Sequence, residues 1–186
     1  MQGGARYQNQ VAAWLATKML AERPAAPILP RGKLNYISAE SGEAVDDVLA
    51  GTDLGSFAFL QAKRKISLSA REGSDLESVV NQAVRQIAAT VEPLMRPWSR
   101  TLDATTDRLL LVTSSDSPAT IKTALRDVLQ RMHGLHPDQS VTDAAKNNAE
   151  NDALTALLTL IDREWIKVTC PSPKLHPGQE IGSLNG

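Results

Sequence analysis

The chain has 186 residues, a net charge of −1, 42% apolar residues and 4% aromatic residues. That is long enough for one domain with a hydrophobic core, and too balanced in charge for a global pull towards nucleic acid or anionic membranes, so any polyanion site is local. A single cysteine, Cys170, excludes an internal disulfide. No apolar run approaches the roughly 20 residues of a spanning helix, and no basic-then-apolar leader opens the chain, so a cytoplasmic protein is expected.

Residues 5 to 22 place Tyr7, Val11, Trp14, Leu15, Met19 and Leu20 at steps of three and four, which predicts a first helix with one apolar stripe. Three prolines in "PAAPILP" then forbid hydrogen-bonded helix. "KLNYISAE" reads as a strand ending at Glu40, and "AVDDVLAG" and "SFAFLQAK" as two more, joined by "TDLG", a hairpin connection. In the third strand the period of two puts Phe57, Phe59, Gln61 and Lys63 on one face.

"SDLESVVNQAVRQIAATVEPL" opens with Ser74 and Glu77 at capping-box spacing. Leu76, Val79, Val80, Ala83, Val84, Ile87 and Val91 then make a broad apolar face, which leaves Gln82, Arg85 and Gln86 on the polar side. "DRLLLVTSS", with no wet face, is expected in the middle of the sheet. Ser117 and Pro118 start another helix, with Ile121, Leu125, Val128, Leu129 and Met132 as its stripe and Gly134 as its cap. A last helix is expected near 142 to 163, burying Leu154, Leu157, Leu158 and Ile161.

The order helix, strand, strand, strand, helix, strand, helix predicts an α/β fold with helices covering a mixed sheet. Residues 1–168 form the expected domain, and 169–186, rich in proline and glycine, a tail or a linker to a further region.

Charges inside strands need a reason, because a buried charge must be neutralised, paired or bound to metal. Asp46 and Asp47 lie near the start of the second strand, and Gln61 and Lys63 lie together on the third. An acid, an amide oxygen and an ammonium converging at one sheet edge suit a hard divalent cation such as magnesium, which takes one or two carboxylates, a carbonyl oxygen and substrate phosphate. Asp46 is the expected main ligand, Gln61 gives its amide oxygen, and Glu40 is a candidate second carboxylate. Lys63 would orient an attacking water or stabilise charge building on phosphate. Arg64, Lys65 and Arg71, just past this centre, are candidate phosphate contacts. The bland alternatives are exposed acids that protect a strand edge from aggregation and a solvated basic stretch. The three histidines lack zinc-site spacing, no nucleophile elbow surrounds Ser114 and Ser115, and no glycine loop cradles phosphate.

These motifs resemble the PD-(D/E)xK nuclease superfamily, and within it the Mrr-like restriction-endonuclease branch. There a glycine-opened first helix is followed by an Ile-Asp strand and then by Gln-x-Lys. "GARYQ" (Gly4 to Gln8), "AVDDV" (Ala44 to Val48) and "QAKRK" (Gln61 to Lys65) stand in those places. The pattern is also similar to the N-terminal nuclease domains of antiviral defence effectors of the Avs and CBASS types. The resemblance spans roughly residues 3 to 115. It implies a restriction-endonuclease-like core (α-β-β-β-α-β) with extra C-terminal helices, and a Mg2+-dependent endonuclease, with Mn2+ substituting. The implied substrate is double-stranded DNA and the implied product carries a 5′ phosphate.

The resemblance favours Asp46 over Asp47 as ligand, in which case Asp47 faces the other side of the strand. Gln61 stands where the superfamily commonly has an acid, and Gln8 where many members have a helix glutamate, so Gln8 and Asp47 are supporting candidates. Cutting both strands with one site per chain implies a homo-oligomer, and an NTPase or sensor region would lie outside this chain. An inactive nucleic-acid-binding or assembly module of the same fold, or an RNA-cleaving nuclease, are the alternatives.

Overall fold

The computed structural model describes residues 3–39, 43–45, 47–91, 102–136 and 138–170. They form helix α1 (Gly3–Leu20), strands β1 (Leu34–Ala39), β2 (Val48–Thr52) and β3 (Phe57–Lys63), helix α2 (Asp75–Val91) and strand β4 (Arg108–Thr113). A π-helical segment (Thr120–Leu125) then runs into α3 (Arg126–His133), and a 3-10 turn (Val141–Ala144) precedes α4 (Asn148–Thr169). The strands make one mixed sheet in the order β1-β2-β3-β4, antiparallel for the first two pairings and parallel for β3 with β4. An α/β domain with a four-stranded mixed sheet flanked by helices therefore stands, in the expected element order. The tail from residue 171 lies outside the described residues, and no described helix is long and apolar enough to cross a membrane.

The two sheet faces divide the core. Val48, Ala50, Ala58, Leu60 and Ala62 pack against Val11 and Leu15 of α1 and against Ala25, Ile28 and Leu29 of the proline-rich connection. On the opposite face Leu49 and Phe59 join Val45 and the half-buried Leu109. Leu111 there packs against a cluster built from α2, the π-helical segment and α4, including Leu76, Val80, Val84, Ile121, Leu157 and Leu160. Small residues at Ala50, Ala58 and Ala62 let α1 approach the sheet, as helix-on-sheet packing requires close backbone approach.

Three expectations are corrected. Strand β2 begins at Val48, so the acids precede the strand instead of lying within it. The backbone N–H groups of Ala44 and Val45 bond to a side chain of α2, not to a neighbouring strand. Strand β4 is the outer strand of the described sheet, not a central one, and every one of its residues is half-buried. Its continuous apolar run has packing partners on both faces, Leu110 and Val112 against the α1 cluster and Leu111 against the cluster of α2 and α4, which says nothing about whether both edges are paired. In α2 the buried row is Leu76, Val80, Val84 and Ala88, while Ile87 is exposed and Gln86, expected on the polar side, is fully buried. This i, i+4 row meets α4 and the π-helical segment, with Leu111 the one strand residue in the cluster, so the buried face of the helix is turned by about one residue from the expected stripe.

The helix starts and ends follow local chemistry. Ser74 Oγ accepts from Glu77 N at 3.1 Å, one arm of the expected capping box. The other arm shifts by one residue, because Glu77 Oε2 accepts from Gly73 N instead. Asn147 caps α4 through Glu150 N at 3.0 Å. That helix starts six residues later than expected and runs to Thr169.

Candidate cation site at the β2–β3 edge

The register pairs Val48 with Leu60, and one step further along this antiparallel ladder Asp47 stands beside Gln61. Residues opposite one another in such a ladder share a face. The side chains meet accordingly: Gln61 Nε2 donates to Asp47 Oδ2 at 2.6 Å, and the backbone N–H of Ala62 donates to the same oxygen at 2.7 Å. The expectation drawn from the resemblance, that Asp47 faces the other side of the strand from Gln61, is thus overturned, and Asp47 is the described acid that reaches Gln61. Asp46 and Glu40 lie outside the described residues.

Gln61 is 2% exposed. With its NH2 committed to the carboxylate, its amide oxygen Oε1 is buried and accepts no hydrogen bond among the described residues. A buried polar atom left without a partner costs about 1–3 kcal/mol, so such an atom calls for an explanation. A carboxylate and an unsatisfied amide oxygen, side by side at a strand end, are the hard oxygen donors that magnesium or manganese accepts. Among the described residues no three His, Cys, Asp or Glu side chains gather as a metal-holding group. The described donor set is therefore one carboxylate plus one amide, which fits a cation that keeps several waters and takes further oxygens from a substrate phosphate.

Lys63 closes β3 two residues after Gln61, on the same face by strand alternation, and is half-buried. It forms no ion pair among the described residues. The amide and the ammonium-bearing side chain thus share one strand face, and among the described residues the ammonium is not paired with a carboxylate.

Gln8, in the second turn of α1, donates from Nε2 to the backbone carbonyl of Asp47 at 2.7 Å. The first helix thereby reaches across the sheet end and holds the residue that carries the acid. Tyr7, next to it, packs against the α1 cluster, and burial pushes its hydroxyl's pKa up. Arg64 and Lys65 follow β3 and are exposed, as is Arg71 in the next loop. Arg64 pairs with Asp116 at 3.6 Å, both side chains well exposed, a contact worth well under about 1 kcal/mol and open to exchange for a phosphate. The loop carrying Arg71 is tied at both sides: Ser74 Oγ donates to Ser69 O at 2.9 Å, and Arg163 Nη1 of α4 donates to Ala70 O at 3.0 Å.

The residue that sequence reasoning missed is Gln86. Its Oε1 accepts from Ala44 N at 3.0 Å and Val45 N at 3.4 Å, and its Nε2 donates to Glu43 Oε2 at 3.0 Å. The signal was its spacing, seven after Val79 and three after Ala83, on the flank of the apolar stripe. Comparison with models of protein families, with curated proteins and with solved structures finds no match to this chain.

Proposed function

We propose that the chain has a restriction-endonuclease-like core and is a divalent-metal-dependent endonuclease domain that hydrolyses phosphodiester bonds of double-stranded DNA. The observation that carries this reading is the buried Gln61 amide, bonded through its NH2 to Asp47, whose oxygen has no partner among the described residues, on the face that also bears Lys63. Asp47 and Gln61 are the described residues that would hold Mg2+ or Mn2+. Asp46 and Glu40, adjacent in sequence to this edge, complete the ligand set that the resemblance implies. A bound divalent ion would lower the pKa of a coordinated water and offset charge on the phosphate.

Lys63 donates hydrogen bonds to the attacking water or to the phosphate oxygens as negative charge grows there. Gln8 keeps Asp47 at the sheet end by holding its carbonyl. Arg64, Lys65 and Arg71 seat the backbone phosphates and so set the register of the duplex without reading its sequence. A role in antiviral defence, alongside an NTPase or sensor region and as a homo-oligomer, is part of the same proposal and rests on the motif resemblance.

Plasmid cleavage with and without magnesium tests the reading. The wild-type chain should nick and then linearise supercoiled DNA only with the metal present. Lys63→Ala should lower the rate by about 100-fold or more, in the range of a lost electrostatic group at a transition state, without shifting the melting temperature. Equal cleavage by wild type and Lys63→Ala would refute the assignment. Metal-independent DNA binding without cleavage would favour an inactive binding module, and cleavage confined to RNA would move the substrate.

A further inference from the structure

We propose that Gln86, in the middle of α2, is a positioning residue of this site: its amide sets the path of residues 43–45 and thereby where Asp47 meets Gln61. The inference rests on the cation-site reading and adds to it a residue that touches neither substrate nor metal.

Gln86 is 0% exposed. Burying an amide costs several kcal/mol unless both of its ends are bonded, and here both are. Its oxygen accepts from two successive backbone N–H groups, Ala44 and Val45, and its nitrogen donates to the Glu43 carboxylate. Residues 43–45 belong to no strand, so these bonds take the place of a sheet ladder for that stretch. Val45, 3% exposed, is pressed at the same time into the cluster with Leu49 and Phe59. Two residues later the Asp47 carboxylate lands on Gln61 and on Ala62 N, while Gln8 takes the Asp47 carbonyl. The approach to the site is therefore held by α2 on one side and by α1 on the other, each through one glutamine.

The side-chain type matters at position 86. A single group must accept from backbone and donate to a carboxylate, which an amide does and neither a carboxylate nor an apolar side chain can do. Because an error of about 1 Å in a reacting group costs roughly 100-fold in rate, a residue that fixes this path controls turnover without taking part in the chemistry.

The test uses the full chain as wild type, Gln86→Glu, and the double variant Glu43→Gln/Gln86→Glu. The single variant sets two carboxylates against each other. The double variant restores one donor and one acceptor with the partners exchanged. Hydrogen exchange is read at Ala62, whose N–H bonds to Asp47 and does not touch Gln86, and at Leu15 in the α1 core as a measure of global opening. Magnesium half-saturation of plasmid cleavage is read alongside. In Gln86→Glu the Ala62 amide should exchange about tenfold faster relative to Leu15, the size of one lost hydrogen bond, and the magnesium requirement should rise. Both should return towards wild type in the double variant.

Ala62 and Leu15 accelerating together in Gln86→Glu, or Ala62 remaining fast in the double variant, would overturn the positioning role. If the single variant does not fold, recovery of a folded double variant counts as the restoration, and failure of both overturns it. Absence of cleavage by wild type would strike the nuclease reading alone, since the exchange measurement still decides what Gln86 does.

Discussion

At the scale of single residues, the feature that asks for an explanation is the Gln61 amide oxygen. Its neighbour Nε2 sits 2.6 Å from Asp47 Oδ2, so the amide orientation follows from the donor facing a carboxylate, and the oxygen is left buried and unsatisfied. The cation reading makes a specific demand on this position. Gln61→Glu removes the donor and places two carboxylates in contact, which without divalent metal should destabilise the fold by about 1–3 kcal/mol. Saturating magnesium should then raise the melting temperature of Gln61→Glu by more than it raises that of wild type, because the added charge strengthens a hard-cation site. Calorimetric melting with and without the metal checks this, and a variant equally unstable in both conditions would contradict it. The pair Gln61 and Lys63 was legible from strand alternation alone. The preference for Asp46 comes from the motif resemblance and not from a residue pattern; Asp47 is the acid that meets Gln61 among the described residues, because β2 starts only at Val48 and the residue before it stands opposite Gln61.

At the scale of elements, the seam between α2 and α4 governs the loop beside the site. Glu77 takes Arg163 Nη2 at 2.8 Å and Lys167 Nζ at 3.2 Å, and Glu164 takes Lys167 Nζ at 2.7 Å and also the Asn81 side-chain amide. Glu164 is 1% exposed. Burial alone would push its carboxyl up, but the hydrogen bonds from Lys167 and Asn81 and the charge of Lys167 outweigh burial and hold it below the usual carboxylate range. The Glu164 carboxylate in turn raises the Lys167 ammonium. A depressed carboxyl contributes stability that is present above its unfolded pKa of about 4.3 and is lost as pH falls through the lower folded value. The difference in melting temperature between wild type and Glu164→Gln should therefore be largest near neutral pH and shrink on acidification below about pH 4.3. A difference that stays constant with pH would show that this cluster does not stabilise through the Glu164 charge. None of it was legible in the sequence, where Glu77 reads as a capping residue. Long-range pairing across 83 to 90 residues of chain leaves no local pattern.

At the scale of the whole molecule, element types and order followed from periodicity: a 3.6-residue stripe for α1, a two-residue alternation in β3, and turn residues between them. The place of β4 in the sheet did not follow, because two covered faces produce the same apolar run at an edge as in the centre. With a net charge of −1, the DNA binding proposed above would rest on local basic residues such as Arg64, Lys65 and Arg71, and should weaken steeply with salt. All of this converges on one small volume at the end of β2 and β3, where α1 and α2 each contribute a glutamine that holds the acid-bearing segment. Crystals of the chain soaked in manganese and measured at the manganese absorption edge test that convergence most directly. The account predicts an anomalous peak about 2.0–2.2 Å from Gln61 Oε1, the distance expected for a hard divalent ion on an oxygen ligand, and in reach of an Asp47 carboxylate oxygen. Saturating manganese with no density between Gln61 and Asp47, and the Gln61 oxygen instead hydrogen-bonded to protein, would contradict it.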